Sequence, residues 1–378
     1  MLSSDNIMQK WFDRIVKLNI VVTMLVLTSA VVLLQTPPAQ LPSSPIIKGT
    51  ETKIPEPMTT TLFFAGDIML SRNVAGKIYK ANDFTLPFAK VTAEIKKADI
   101  AFANLESPFN NKGNHSVEGS LVFNADPKSV EGLKSASFDV LSTANNHAFD
   151  QGQKGIDFTS ELLKNNGIIP TGTQSSTAQP ALPVIEKNKI LYGFLSYSYT
   201  ALNDGGKSTS PYVNDFNNLN KLKQDIQSLR GHSADVVVVN MHAGTEYTRK
   251  PTAAQTAFAH AAIDAGADLV VGEHPHWVQT VEQYKGKWIF YSLGNFVFDQ
   301  MWSQETKEGL TLLVTYQSRH IPEPANQIAG QDIIEIKKIE LKPVIIDDFC
   351  CPRFADSVET LSILSKIGLT SAVLFDNN

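Results

Sequence analysis

The sequence predicts an α/β domain that follows an N-terminal transmembrane helix, and three observations support this fold class. An uncharged apolar run occupies residues 18–34. From Thr60 onward, apolar runs of about five to seven residues alternate with segments of helical periodicity, which is the rhythm of βα units. After Gly309 the residues alternate more as they do in antiparallel or edge strands.

The composition supports a folded domain and excludes one class of partner. The chain has 378 residues, of which 43% are hydrophobic and 19% charged, so it can bury one large core or two modest ones. Proteins that bind nucleic acids use positively charged surfaces that displace counterions from the phosphates. The net charge of this chain is −5, so we expect no nucleic-acid partner. Cys350 and Cys351 are adjacent; a vicinal disulfide is one alternative, but we expect a free or buried thiol pair.

The apolar run at residues 18–34 is the predicted membrane anchor. At about 1.5 Å per residue, a helix of this length nearly spans a hydrocarbon core of about 30 Å. Basic residues precede the run and none follows before Lys48, which predicts a cytoplasmic N-terminus at residues 1–17 and an extracytoplasmic remainder at the cell membrane. A cleaved signal peptide is the alternative, but residues 31–35 lack a clear small-residue cleavage site.

Three segments follow the anchor. Residues 35–59 are rich in Pro, Ser and Thr and are predicted to form an extended stalk. Residues 60–345 form the predicted α/β domain. Residues 346–378 have only a weak helical pattern, and we interpret them as a C-terminal tail.

Seven apolar runs are the predicted strands of βα units. They are TLFFA (61–65), DIAFA (99–103), FDVLST (138–143), ILYGFLSY (190–197), DVVVVN (235–240), DLVVG (268–272) and WIFYSL (288–293). Between them, one helix is predicted from Pro251 to Gly266, and another ends at Gly231. The alternating segments TLLVTYQ and DIIEIKKIELKPVII follow after Gly309.

Five of these predicted strands end in polar residues that can bind metals. These residues are Asp67, Asn104, Glu106, Asn145, Asn146, His147, His242, His274 and His276. Ligands of open α/β sheets bind beyond the carboxyl ends of the strands, so we expect these side chains to converge on one crevice. A lone Asp or His at a strand end is more often a cap or turn residue, but five strand ends together favour a common site.

The residue types suit one or two divalent cations, with Mn, Fe, Zn or Mg as candidates. Asp67 and Glu106 offer carboxylate oxygens, Asn146 a neutral oxygen, and His242, His274 and His276 imidazole nitrogens. The two histidines flanking Pro275 either serve different metals or are brought to one by a turn. Two metals could clamp a phosphoester and activate water for attack.

Other residues are candidates for proton transfer and substrate binding. His147 is the candidate acid for the leaving group, beside Asp67 and Glu106 as further catalytic groups. Asn104, Asn145, Tyr247 and Arg249 are candidate substrate contacts. For the two asparagines, bracing of a loop is an equally good explanation, and for Arg249 a solvated loop charge is the commoner one.

Six motifs, in order, resemble those of the CapA family of poly-γ-glutamate capsule biosynthesis proteins, which belongs to the metallophosphatase-like superfamily. They are GDIMLSR (66–72), ANLESP (103–108), ANNHAFDQG (144–152), MHAGTEY (241–247), GEHPHWVQ (272–279) and YSLGNFVFDQ (291–300). The resemblance implies a metallophosphatase-like α/β sandwich with αββα layers. It also implies roles for the site residues: Asp67 binds one metal, Glu106 bridges, Asn146 binds the second metal, His147 is the acid, and His242, His274 and His276 complete the coordination.

Two positions depart from the phosphatase pattern. Met69 stands where phosphatases carry a histidine ligand, and Glu106 replaces the usual aspartate. The resemblance implies a role in making, exporting or anchoring anionic poly-γ-glutamate, with membrane-bound capsule synthesis proteins as partners and a polymer or phosphoester as substrate. The alternatives are a non-catalytic scaffold or polymer-binding component and a metallophosphoesterase unrelated to capsule.

Overall fold

Two β-sheets organise the part of the chain that the computed structural model describes, which is residues 58–174, 183–199, 212–321 and 331–377 together with Arg14. Within these ranges the strands are β1 (Met58–Ile68), β2 (Ile100–Leu105), β3 (Val140–Ser142), β4 (Ile169–Thr171), β5 (Val184–Lys187), β6 (Ile190–Ser198), β7 (Val236–His242), β8 (Leu269–Glu273), β9 (Val281–Tyr284), β10 (Lys287–Phe290), β11 (Asn295–Val297), β12 (Glu308–Ile321), β13 (Gln331–Asp347), β14 (Cys351–Phe354) and β15 (Val373–Asp376).

Helices fill the connections between the strands. They are α1 (Arg72–Ala81), α2 (Thr92–Ile95), α3 (Val130–Ser135), α4 (Gly152–Asn165), α5 (Leu219–Gly231), α6 (Ala253–Ala265), α7 (Gln304–Lys307) and α8 (Ser357–Ser365). Helix α6 begins with a capping box, in which the side chains of Thr252 and Gln255 each accept a hydrogen bond from the other residue's backbone N–H, and it ends at Gly266, whose φ is 111°. The predicted end of α5 at Gly231 is confirmed.

The larger sheet has the order β14-β13-β12-β1-β2-β3-β4, with β11 also paired to β1 and β15 to β13. Strands β1 to β4 pair in parallel, whereas β12, β13 and β14 are antiparallel. The smaller sheet has the order β5-β6-β7-β8-β10-β9, with parallel pairing from β6 to β10 and antiparallel edges. All seven apolar runs predicted as strands are strands, and the change to antiparallel pairing after Gly309 is confirmed.

Side-chain alternation along the strands produces four layers. In β1, Leu62 and Phe64 belong to a core that also contains Phe194 and Val238 of the other sheet, while Phe63 belongs to a core with residues of the helices. Strand residues point alternately to opposite faces, so each sheet packs one face on the other sheet and one on helices. The predicted αββα layering is therefore present.

The C-terminal segment differs from the prediction. Residues 346–378 are not a separate tail, because β14 and β15 both pair with β13 and α8 buries Ile363 and Leu364. Strand β13 itself continues to Asp347, beyond the predicted domain end at 345. Strands β14 and β15 are short, and they are defined by their pairing with β13 rather than by a hydrophobic pattern in their own sequence.

The cysteine prediction was wrong: Cys350 and Cys351 form a disulfide. They lie where the chain turns from β13 into β14, with Cys350 buried.

The N-terminal predictions concern residues outside the description. The cytoplasmic segment 1–17 apart from Arg14, the anchor 18–34 and most of the stalk 35–59 are not described, although β1 already begins at Met58. Within the described ranges, no helix has the length and apolar character needed to cross a bilayer.

Candidate metal centre

The candidate site lies at the carboxyl ends of parallel strands from both sheets. In the larger sheet Asp67 of β1 is in register with Asn104 of β2, and in the smaller sheet His242 of β7 is in register with Glu273 of β8. The chain continues from these strands to Glu106, to the loop 143–151 and to His274 and His276. The predicted convergence of strand ends is therefore present.

Glycines directly before two of the ligand segments allow this close approach. A Cβ on Gly66 would lie 1.9 Å from the carbonyl oxygen of Gly294, and one on Gly272 would lie 2.2 Å from that of Tyr291. Only a residue without a side chain fits at these positions. The backbone next to Asp67 and Glu273 can therefore pack directly against the backbone of Gly294 and Tyr291.

Two groups of side chains have the geometry of metal ligands, and they share Glu106. One group is Asp67, Glu106 and His276, and the other is Glu106, His242 and His274, with the ligand atoms of each within 4.8 Å of one another. Asn146 joins the second group, because its Oδ1 lies 2.8 Å from Nε2 of His242. His274 and His276 thus belong to different groups.

Glu106 is the central residue of the site. Its side chain is fully buried, and neither oxygen accepts a hydrogen bond from any residue in the described ranges. Oε1 lies 3.6 Å from Nε2 of His242 and 4.0 Å from Nε2 of His276. Burial, followed by the charge of Asp67, raises the pKa of Glu106 well above its usual value. A buried carboxylate without partners is costly, and a bound cation would remove that cost.

Asp67 lies between the two sheets' ligands. It accepts a hydrogen bond from Nδ2 of Asn104 at 2.8 Å and lies 3.4 Å from Nδ1 of His276 and 3.7 Å from Nδ1 of His242. The backbone N–H of His274 also points to it, at 3.4 Å. A carboxylate so placed can bind one cation and still be held by the protein.

The imidazoles are held in the neutral form that binds metals. Burial, followed by the charges of neighbouring histidines, lowers the pKa of His242 well below its usual value and that of His274 to about 3. Nδ1 of His274 is buried and has no hydrogen-bond partner within the described ranges. Neutral imidazole with a free ring nitrogen is the ligand form of histidine.

Four residues around the site have backbone φ angles in the left-handed region. The φ angles are 97° at His274, 55° at His276, 61° at Tyr247 and 53° at Arg72. Side chains beyond glycine, asparagine and aspartate rarely adopt this region, and such strain is common at functional sites.

His147 has the surroundings expected of an acid. Its Nδ1 lies 2.7 Å from Oδ2 of Asp150, and its Nε2 lies 3.8 Å from Oε1 of Glu106. Its ring stacks on Phe123 with the centroids 3.7 Å apart. Asp150 thereby fixes one ring nitrogen as the N–H and leaves the other facing the centre.

Asn104 and Asn145 brace the loop through their side-chain amides. Nδ2 of Asn145 donates to the carbonyl of Leu105 at 2.8 Å and to Oδ1 of Asn104 at 3.2 Å. Oδ1 of Asn145 accepts from the backbone N–H of His147 at 3.1 Å. Both asparagines are buried, so bracing of the loop accounts for them.

Tyr247 lies beside the ligand His276. The ring of Tyr247 stacks on His276 with the centroids 6.0 Å apart, and its hydroxyl accepts from Gln300 at 3.3 Å. Burial, followed by the charge of Glu246, raises the pKa of Tyr247.

Arg249 is partly buried rather than a solvated loop charge. It donates to the carbonyl of Val278 at 3.0 Å and lies over the Trp277 ring at 5.0 Å. Its guanidinium also faces Glu308 at 3.8 Å and Glu305 at 3.9 Å. Nη2 of Arg249 is nevertheless buried and has no hydrogen-bond partner within the described ranges.

Sequence reasoning missed several residues at the site. Oδ1 of Asn295 lies 2.9 Å from Nδ1 of His276, and Glu273 accepts from Asn240 at 2.5 Å. Burial, followed by the charge of Asp67, raises the pKa of Glu273 well above its usual value. A signal existed for both, because they lie within the matched motifs, as does Asp150.

These observations fit one or two divalent cations. The donors combine carboxylate oxygen, amide oxygen and neutral imidazole nitrogen. Glu106 and His274, which have side-chain atoms without hydrogen-bond partners in the described part of the chain, belong to one ligand group. The donor set does not select one metal among Mn, Fe, Zn and Mg.

Comparison with known proteins identifies the family. The family model described as bacterial capsule synthesis protein PGA_cap matches residues 61–300. The capsule biosynthesis protein CapA of Bacillus anthracis is 33% identical over 297 residues, covering 75% of this chain and 69% of that protein. The PGA biosynthesis protein CapA of Bacillus subtilis is 34% identical over 258 residues, covering 65% of each chain.

One solved structure gives a more distant likeness. The calcineurin-like phosphoesterase YfkN of Bacillus subtilis has a TM-score of 0.42 and 15% identity, covering 74% of this chain and 91% of that chain. A score at this level does not by itself establish a shared fold. The match of the family model over the domain that carries the centre is the decisive finding, and with it the chain belongs to the bacterial capsule synthesis protein family PGA_cap.

Proposed function

We propose that this protein is a membrane-anchored, extracytoplasmic component of poly-γ-glutamate capsule synthesis or export whose metal centre hydrolyses its substrate. The observation that carries the proposal is the pair of ligand groups that share Glu106, a buried carboxylate without a hydrogen-bond partner within the described ranges. Membership of the capsule synthesis family supports the cellular role. The name of the Bacillus subtilis relative, a PGA biosynthesis protein, supports the choice of polymer.

Each ligand group would hold one divalent cation. Asp67 and His276 would bind one, His242, His274 and Asn146 the other, and Glu106 both. Bound cations would supply Lewis acidity and neutralise charge that develops at a phosphoester or at a γ-linked amide.

The chain's own groups supply proton transfer and orientation. His147 would donate a proton from Nε2 to the leaving group, because Asp150 holds the other ring nitrogen at 2.7 Å. Phe123 covers one face of the His147 ring and excludes water from it. Tyr247, stacked on His276, would contact the substrate.

In the proposed topology this chemistry would take place outside the cell. Residues 18–34 would anchor the protein in the cell membrane, close to membrane-bound capsule synthesis proteins. Intact-mass measurement of the protein from the membrane fraction tests this. A mature chain that starts near Thr36 would contradict the anchor.

A non-catalytic scaffold or polymer-binding component is the second candidate, and Met69 favours it. Met69 is fully buried, and its sulfur accepts hydrogen bonds from the backbone N–H and the hydroxyl of Ser71, at 3.1 and 3.2 Å. It offers no nitrogen where phosphatases place a histidine.

The full-length protein with the double change Asp67→Ala and His276→Ala distinguishes the candidates. Metal content by mass spectrometry, hydrolysis of aryl phosphates and of poly-γ-glutamate, and capsule formation are measured together. His260→Ala is the matched control, because His260 also pairs with a carboxylate, Glu282 at 2.9 Å, on the surface of the smaller sheet.

Catalysis is supported if the double variant loses metal, hydrolysis and capsule formation while the His260→Ala control retains all three. Full capsule production without metal supports the scaffold. A purified protein that binds none of the four candidate metals would overturn the metal centre.

A further inference from the structure

We propose that Arg72 binds an anionic oxygen group of the substrate, a carboxylate or a phosphate, next to the metal centre. The inference rests on the proposed function and names a substrate-binding residue for it. Neither sequence reasoning nor the matched families assign this role to Arg72. Arg249, the arginine proposed from the sequence, instead faces Glu305 and Glu308 at 3.9 and 3.8 Å.

Arg72 lies close to the centre. It is the first residue of α1, four residues after the end of β1. Its guanidinium carbon lies 4.8 Å from the centroid of Phe123, whose ring stacks on His147 at 3.7 Å. It lies 5.6 Å from the centroid of Phe298, which is 4.9 Å from the His276 ring.

The guanidinium retains unused donors. One terminal nitrogen pairs with Asp299, and the other lies 3.4 Å from the carbonyl oxygen of Ser120. Nε is buried and has no hydrogen-bond partner within the described ranges. A guanidinium has five N–H donors, so this pairing leaves capacity for an anion.

Asp299 fixes the position of the guanidinium. One oxygen of Asp299 pairs with Arg72, while the other accepts from the backbone N–H and from Nδ2 of Asn73, both at 3.2 Å. The side chains of Arg72 and Asp299 are only 11% and 5% exposed. A planar donor that is held in place in this way suits carboxylate and phosphate oxygens.

The backbone at Arg72 is also unusual. Its φ of 53° lies in the left-handed region, and its N–H donates to the carbonyl of His115 at 2.8 Å. Arginine is not favoured in this conformation, which occurs more often where a side chain must be aimed.

Calorimetric binding of two probes to the metal-loaded, full-length protein tests the inference. The probes are inorganic phosphate and the dipeptide γ-glutamyl-glutamate, and metal content is measured first. Arg72→Gln removes both the positive charge and the planar set of guanidinium donors, whereas Arg72→Lys keeps only the charge. Arg230→Gln is the matched control, because Arg230 pairs with Asp268 at the opposite end of the smaller sheet.

We expect Arg72→Gln to raise the dissociation constant of at least one probe about 10- to 100-fold, which is the effect of losing one charge-assisted hydrogen bond. Arg72→Lys should recover part of this loss, and Arg230→Gln should match the wild type. The probe that is affected identifies phosphate or carboxylate as the group that is recognised.

Two results would overturn the inference: unchanged binding of both probes in a metal-loaded Arg72→Gln protein, or no binding of either probe to the metal-loaded wild type. Failure of the proposed function is separate, because it appears as an absence of metal before any probe is added.

Discussion

Carboxylate side chains lie at both ends of the parallel strands, but their surroundings at the two ends are opposite. At the amino ends, Asp99, Asp139, Asp235 and Asp268 each precede a strand, and each accepts a hydrogen bond from a backbone N–H of the neighbouring strand, at 2.8 to 3.0 Å. At the carboxyl ends, the carboxylates of Glu106 and Glu273 are fully buried, and each has an oxygen without a partner in the described ranges. Satisfied carboxylates stabilise the sheets, whereas unsatisfied ones indicate a ligand.

Glu106→Gln should have the largest effect, because it alters the one residue common to both ligand groups. We expect metal affinity to fall by more than about 100-fold and hydrolysis to be lost with it. Metal content after dialysis, and activity at saturating metal, check this. Retention of both metals would show that Glu106 does not bridge.

His147→Gln should lower the rate without removing metal. A general acid contributes about 100- to 10,000-fold, and the ring of His147 is held by Asp150 and Phe123 rather than by the ligand groups. Steady-state kinetics with a phosphoester of high leaving-group pKa and one of low leaving-group pKa provide the measurement. If both substrates slow equally, His147 does not protonate the leaving group.

The same comparison explains what could be predicted from the sequence. Apolar runs indicated the strands, and polar residues after those runs indicated Asp67, Glu106 and His242, because both signals are local. The partners of these residues are not local: Asn295 reaches His276 from a separate motif, and only the folded chain brings them together.

Local sequence also does not show what an arginine side chain faces. Arg72 and Arg249 both lie in or beside a motif, but Arg72 pairs with Asp299, whereas Arg249 faces Glu305 and Glu308, more than fifty residues further along the chain. In the same way, β14 and β15 have little pattern of their own and are defined by pairing with β13.

The metal-free protein should lose stability as the pH rises above about 6.5. The pKa of Glu106 and that of Glu273 are raised by burial, so the folded state keeps protons that the unfolded state releases above its ordinary carboxyl pKa. Below about 6.5, His242 and His274 have the opposite effect, because their pKa values are lowered and only the unfolded state binds those protons. Above that pH the carboxyl effect remains alone.

Urea denaturation between pH 6.5 and 8.5 measures this effect. The slope should reach at most about 1.4 kcal/mol per pH unit for each retained proton. Glu106→Gln should reduce the slope, and saturating metal should remove it because the carboxylates are then ionised in the folded state. A metal-free wild type whose stability does not change over this range would contradict the prediction.

Asp139→Ala should have the smallest effect and should be confined to stability. Asp139 accepts from the backbone N–H of Ala101 at 2.8 Å, and Ala101 is buried, so the change leaves a buried donor without a partner. We expect a loss of about 1 to 3 kcal/mol in the free energy of unfolding, measured by urea denaturation, with unchanged metal content. A fall in metal affinity would mean that the two strand ends are coupled through β3, and the division between stabilising and ligand-binding carboxylates would then not hold.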